Sequence, residues 1–193
     1  MPRERARRPG RGGVRVSGGE LRGRIVAVPG EARPTEGRVR EALFSIWRER
    51  LEGGRVLDLF AGSGVVALEA ASRGALSVFA VEMAPRSLAV LEQNVRRTAM
   101  EGVVAVRRGT LPADLAKLAS EGPFDLVYAD PPYRYPDYAE LLAAVAPLLA
   151  ADGEFAVEHT SRRELPAEVG DLVRVDVRRY GESALSFYRR GPG

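Results

Sequence analysis

Arg55-Val56-Leu57-Asp58-Leu59-Phe60-Ala61-Gly62-Ser63-Gly64-Val65-Val66-Ala67 is the stretch on which the fold turns. Its first six residues read as a short buried strand, and Val65–Arg73 reads as a helix. The glycines between them permit a tight turn and a close approach of backbone to a ligand. A strand, a glycine turn and a helix form the usual nucleotide-cradling unit of open α/β sheets.

Working downstream, Leu76–Val81 reads as a second strand that ends in Glu82. A carboxylate there suits the hydroxyls of a ribose. Pro85 opens a helix with Leu88, Leu91 and Val95 on its inner face. Val103–Val106 reads as a third strand, Leu111–Ala119 as a helix and Phe124–Ala129 as a fourth strand. Tyr138–Ala150 reads as an apolar helix and Glu154–Glu158 as a fifth strand. Leu172–Arg179 and Ala184–Arg189 alternate with period two around Gly181-Glu182, the pattern of a closing hairpin. This alternation predicts an α/β fold with a mostly parallel, doubly wound sheet and one antiparallel strand.

Upstream, residues 14–28 read as a β-hairpin with strands near Val14–Ser17 and Leu21–Val28 about Gly18-Gly19, closed by Pro29-Gly30. Thr35 is placed to cap a helix over 36–51. Val39, Ala42, Leu43, Ile46, Trp47 and Leu51 recur along one face of it. Residues 1–13 are expected to be a basic tail, 14–52 an extension of hairpin and helix, and 53–193 the main domain.

Composition narrows the chemistry. The 193 residues are 45% hydrophobic and 28% charged, which suits one globular domain. There is no cysteine and His159 is the only histidine, which excludes disulfides, thiolate nucleophiles and His-based metal clusters. No metal is therefore expected, and His159 is read as structural. No apolar run approaches the roughly 20 residues of a membrane span. The first residues lack the apolar core of a secretory signal, so a cytoplasmic protein is expected. Net charge is +3, yet residues 1–24 alone hold eight arginines against Glu4 and Glu20. Clustered guanidinium groups point to a polyanion, foremost nucleic acid.

The cofactor follows from the turn and its neighbours. Gly62-Ser63-Gly64-Val65-Val66-Ala67 fits G-x-G-x-x-A, and Glu82 lies eighteen residues after Gly64, so a dinucleotide competes. However, Asp58 precedes the turn, where a carboxylate would repel a pyrophosphate. It suits a cationic ligand instead. S-adenosyl-L-methionine has no phosphate, carries an ammonium and a sulfonium, and still offers a ribose to Glu82. Its expected contacts are Asp58, Phe60, Ala61, Gly62, Ser63, Gly64, Glu82, Met83, Thr110 and Asp130.

Asp130-Pro131-Pro132-Tyr133 follows the fourth strand. Two prolines fix φ and leave carbonyls without competing donors. Asp130 and the Pro131 carbonyl can hold the hydrogens of an exocyclic amine, aiming its lone pair at a methyl group. Tyr133 can stack on the base. A carboxylate accepts hydrogen bonds only, which leans toward guanine, with two adjacent donors at N1 and N2, over adenine. Adenine N6 in DNA and a protein glutamine amide are the alternative acceptors. A non-catalytic RNA-binding protein and a dinucleotide oxidoreductase are the rival readings.

Three blocks carry a family resemblance: Arg22-Gly23-Arg24; Arg33-Pro34-Thr35 with Arg38-Val39-Arg40-Glu41-Ala42-Leu43-Phe44; and Leu57–Gly64 ahead of Asp130-Pro131-Pro132-Tyr133. From about residue 14 to 190 the chain resembles the RsmD family, the 16S rRNA (guanine(966)-N(2))-methyltransferases. The resemblance implies a class I, Rossmann-like methyltransferase fold with a seven-stranded sheet. It implies adenosylmethionine as donor and 16S rRNA in the small ribosomal subunit, or in an assembly intermediate, as substrate. It also implies RNA contacts by Arg22, Arg24, Arg33, Thr35, Arg38, Arg40 and Tyr133. Nothing in the sequence suggests an obligate dimer, so a monomer is expected. The chain departs from the family pattern at Gly37, where Asp is usual, and at Gly109-Thr110, where a polar residue followed by Ala is common.

Overall fold

The computed structural model describes residues 12–29 and 34–191, without the side chains of 34–36. Residues 1–11, Gly30 and Arg33, and the side chain of Thr35, lie outside the described residues. In chain order the elements are β1 (Gly12–Arg15), β2 (Ile25–Val28), α1 (Pro34–Ile46), α2 (Arg48–Leu51), β3 (Arg55–Leu59), α3 (Val65–Ser72), β4 (Ser77–Glu82), α4 (Pro85–Thr98) and β5 (Val104–Arg108). They continue with β6 (Phe124–Ala129), α5 (Tyr138–Val145), β7 (Leu149–Thr160), β8 (Glu168–Val169), β9 (Leu172–Tyr180) and β10 (Ser183–Arg190).

The main sheet runs β5-β4-β3-β6-β7-β10-β9-β8. Neighbours from β5 through β7 are parallel, and β10 runs antiparallel to both β7 and β9. The expected seven strands with one reversed are present, and the two-residue β8 adds an eighth at the edge. The chain winds outward from β3 to β5, then returns to place β6 on the other side of β3. Such a reversal opens a crevice beyond the carboxyl ends of the two central strands. Those ends are Phe60 and Asp130.

Each face of the sheet is sealed by its own apolar cluster. One holds Phe44, Trp47, Leu68, Leu91 and Phe187, and the other Phe79, Phe124, Leu141, Phe155 and Tyr188. Because α1 supplies Phe44 to the first cluster, the N-terminal extension shares the core of the domain. Trp47 Nε1 donates to the buried Glu154 Oε1 at 2.8 Å, tying the extension to β7.

Several expected boundaries move. Strand pairing in the hairpin stops at Arg15 and resumes at Ile25, so Gly18-Gly19 is not its tip. The intervening loop instead folds onto the end of α3. Ser72 Oγ donates to Gly18 O at 2.7 Å and accepts from Leu21 N–H at 2.8 Å, and Glu20 N–H donates to Ser72 O at 2.8 Å. Gly19 has φ 74°, and a Cβ there would lie 1.8 Å from Ser72 O. The 36–51 helix breaks at Trp47, and Ile46 is exposed while Phe44 is buried. The inner face is thus rotated toward Leu43-Phe44, where the Arg73 guanidinium sits 5.0 Å from the Phe44 ring. The helix expected over Leu111–Ala119 is a single 3-10 turn, Leu115–Leu118. Pro112 supplies no N–H and biases its predecessor away from helix. The helix expected over Tyr138–Ala150 ends at Val145, Pro147 lies in a 3-10 turn, and β7 already begins at Leu149.

Ser72→Ala leaves the Gly18 carbonyl and the Leu21 N–H without their partner. It should lower the unfolding free energy by about 1–3 kcal/mol, read by urea titration. It should also speed amide exchange at Leu21 more than at β3.

Candidate active site

The turn after β3 is built from unusual backbone. Phe60, Gly62 and Gly64 have φ of 59°, 56° and 79°. A left-handed phenylalanine is uncommon and is retained only where its surroundings over-determine it. Here Ala61 N–H donates to Val81 O at 3.0 Å and Gly64 N–H to Ala61 O at 2.8 Å. Gly64 is also required sterically, since a Cβ would meet Leu91 Cδ1 at 2.1 Å. The buried Asn94 of α4 completes the brace. Its Nδ2 donates to Ser63 O at 2.9 Å and Ala27 O at 2.8 Å, and its Oδ1 accepts from Ala27 N–H at 3.1 Å. Sequence reading passed over Asn94. A polar residue beside Leu91 and Val95 on an inward helix face was the available signal.

Two carboxylates flank the turn. Glu82 Oε2 accepts from Gly62 N–H at 2.8 Å, and Oε1 accepts from Met83 N–H at 2.8 Å and Ala84 N–H at 2.7 Å. A carboxylate offers about four acceptor positions, so the three backbone bonds orient Glu82 and leave capacity for a hydroxyl. Asp58 is buried, with Oδ2 accepting from Ala67 N–H at 3.0 Å. Burial raises its pKa to about 8; the Ala67 bond opposes this and the charge of Glu82 adds to it. A cationic group arriving at Asp58 would reverse that shift.

Two clefts meet over the strand ends. One, of about 530 Å³, runs from Glu82, Met83, Ala84, Gly109 and Thr110 to Asp130, Pro131, Pro132 and Tyr133. The other, of about 420 Å³, is lined by Asp58, Ala61, Gly62, Ser63, Arg40 and residues of the N-terminal hairpin. Phe60, Asp130 and Glu158 line both. The expected cofactor residues other than Gly64, which enters α3 against Leu91, line this joined crevice. Its first branch has the ribose-ready carboxylate and an apolar wall, which fits a nucleoside. Its second has a buried carboxylate, which fits an ammonium. A small cationic nucleoside matches this set, and the carboxylate at Asp58 does not suit a pyrophosphate.

The Asp-Pro-Pro-Tyr corner is held from below. Tyr135 N–H donates to Pro132 O at 2.7 Å, and Arg163 donates to the Tyr135 and Pro136 carbonyls at 2.9 and 3.0 Å. Phe60, Tyr135 and Tyr138 form an edge-to-face chain with centroids 5.4 Å apart at each step. Tyr135 and Tyr138 are thus packing residues, whereas Tyr133 stays 59% exposed at the mouth. His159 is buried, with Nε2 2.8 Å from Ser186 Oγ and Nδ1 2.9 Å from Thr160 O, and burial lowers its pKa. It lines the first cleft but is engaged by the sheet, as its structural reading anticipated.

Arg22, Arg24 and Arg38 are exposed. Arg40 is held from within the protein: its Nε lies 3.0 Å from the buried Glu69, its Nη2 donates to Arg15 O, and it lines the second cleft. Thr110 reaches the first cleft, its N–H bound to Asp114 Oδ2 at 2.7 Å. Among the described residues no group of three or more His, Cys, Asp or Glu side chains could hold a metal. Among the same residues no helix is long and apolar enough to cross a membrane.

The arrangement can be set beside known proteins. A family model described as "Conserved hypothetical protein 95" matches residues 14–189. "Putative rRNA methyltransferase YlbH" of Bacillus subtilis is 33% identical over 182 residues, covering 92% of this chain and 99% of that protein. "Ribosomal RNA small subunit methyltransferase D" of Escherichia coli K12 is 37% identical over 129 residues, 65% of this chain and 63% of that protein. The solved structure "Putative methyltransferase yhhF from Escherichia coli" superposes with a TM-score of 0.80 at 30% identity, covering 94% of this chain and all of that one. The fold is accordingly the Rossmann-like fold of adenosylmethionine-dependent methyltransferases. With the family model spanning nearly the whole described chain, the protein belongs to the RsmD methyltransferase family.

Proposed function

We propose that this protein transfers the methyl group of S-adenosyl-L-methionine to the exocyclic N2 amine of a guanine in 16S rRNA, within the small ribosomal subunit or an assembly intermediate. The observation that carries this reading is that Asp130 lines both clefts, with Pro131 and Tyr133 beside it in the first. The family supports rRNA as the polymer, and the acceptor-only carboxylate of Asp130 supports guanine over adenine.

The cofactor supplies an electrophilic methyl on a sulfonium. Asp58 would receive its ammonium and Glu82 its ribose. Asp130 and the Pro131 carbonyl would each accept a hydrogen from the amine, aligning the nitrogen lone pair with the methyl carbon. As the nitrogen becomes cationic, Asp130 stabilises the developing charge. Tyr133 would stack on a base that has left its helix. Arg22, Arg24 and Arg38 would hold the phosphates, with Arg33 and Thr35 as further contacts.

Labelled methyl should enter unmodified small subunits, with the product identified as N2-methylguanine by mass spectrometry. Incorporation into DNA or a glutamine-bearing protein fragment, with none into subunits, would overturn the assignment. Asp130→Ala should reduce turnover by at least about 100-fold with little change in cofactor affinity, since the carboxylate acts on the amine in the transition state. Replacing Arg22, Arg24 and Arg38 together should flatten the salt dependence of RNA binding, by roughly 0.7–0.9 in slope for each phosphate that is no longer neutralised.

Asp58 gives a proton signature. Its folded pKa of about 8 exceeds the ordinary carboxylate value of 3.8. Its favourable share of stability is therefore present below about pH 4 and is lost as pH rises toward 8. Asp58→Asn, which keeps an acceptor for Ala67, should melt at a higher temperature than wild type at neutral pH but bind cofactor at least about tenfold more weakly. Between pH 6 and 7 the wild type should release a proton on binding adenosylmethionine. Calorimetry in buffers of different ionisation enthalpy reads this, and the Asn variant should release none.

A further inference from the structure

Glu158 has a place that the mechanism above does not use. β6 and β7 run parallel with Tyr128 opposite Ala156 and Ala129 opposite Val157. Asp130 and Glu158 are the residues that follow this last pair in the two chains. Counting by two along β7, Glu158 shares the face of Ala156, and hence of Tyr128. The same count on β6 puts Asp130 there too. These two carboxylates, with Phe60, are the residues that line both clefts. Tyr128 Oη donates to Glu158 Oε2 at 2.7 Å, which fixes the orientation of the carboxylate. Burial, followed by the charges of Asp130 and Glu158, raises the Tyr128 pKa far above that of an ordinary phenol, so the hydroxyl stays a donor.

Two carboxylates that line the same clefts favour a ligand that presents several donors to them. The Watson–Crick edge of guanine carries such donors side by side, N1–H and the N2 amine. Adenine would turn the N1 lone pair toward one of the carboxylates. We propose that Glu158 is a specificity-determining residue whose carboxylate accepts the N1–H of the target guanine while Asp130 holds the N2 amine. This rests on the guanine-N2 reading above and adds to it the group that reads the ring.

The test uses small subunits reconstituted with 16S rRNA carrying either guanine or 2-aminopurine at the methylated position. 2-Aminopurine keeps the amine but has a bare N1. Wild type should favour guanine by at least about 100-fold in kcat/KM, because a site built around a donor rejects an analogue without it. Glu158→Gln, whose amide can donate to a bare N1, should shrink that ratio about tenfold or more, while its adenosylmethionine affinity stays within about threefold of wild type. Tyr128→Phe removes the brace but keeps the charge, so it should slow guanine methylation and retain the preference for guanine. Wild type that methylates the two bases within threefold of each other would overturn the proposal without any variant. So would a wild-type ratio in the Glu158→Gln enzyme. Subunits that take up no methyl at guanine N2 would instead overturn the guanine-N2 reading on which the proposal is built.

Discussion

The Glu82 carboxylate accepts three backbone N–H groups, from Gly62, Met83 and Ala84, and the site is assembled around that bond set. Hydrogen bonds to a charged acceptor are stronger than neutral ones. They lock the end of β4 to the turn after β3. With that turn fixed, Phe60 is held in its left-handed conformation and Gly64 can enter α3 against Leu91. Asn94 carries the same constraint one layer outward, from Ser63 to Ala27 in the hairpin. The turn after β3 and the N-terminal hairpin are therefore parts of one hydrogen-bonded unit.

The extension is anchored by charge as well as by apolar packing. Glu69 is fully buried and is met by Arg40, Arg73 and Ser17. Breaking a buried pair on one side leaves an uncompensated charge, so the cluster resists piecewise change. It spans α1, α3 and the hairpin loop. Its consequence is positional: it fixes α1 and the hairpin loop, which carry the exposed Arg22, Arg24 and Arg38, against α3. Asp58 shows the opposite balance. It is buried beside Glu82 at a cost to stability near neutral pH, which a cationic ligand would relieve.

Much of this was legible in the chain because period and punctuation mark elements locally. β3, β4 and β6 were expected within a residue or two of where they lie, since each is an apolar run ended by a glycine, an acid or a proline. The residues around the turn and at the Asp-Pro-Pro-Tyr corner stand out because strand ends at a reversal of sheet order are where ligands bind. Leu111–Ala119 has helical spacing, yet Pro112 and the short path to β6 allow only a 3-10 turn. Gly18-Gly19 looks like a hairpin tip, yet Ser72, more than fifty residues away, draws that loop down onto α3. Arg40 looks like its exposed neighbour Arg38, yet Glu69 takes it inward.

Sequence alone determined the fold class, the glycine turn after β3 and the place of the Asp-Pro-Pro-Tyr corner at the end of β6, because each depends on residue types at fixed local spacing. Tertiary structure alone decided which polar side chains serve the core and which face the cleft. Arg40, Asn94 and Glu158 are ordinary polar letters in the chain. Their roles come from partners that strand register and helix packing bring to them, and no local pattern encodes contacts made across a sheet.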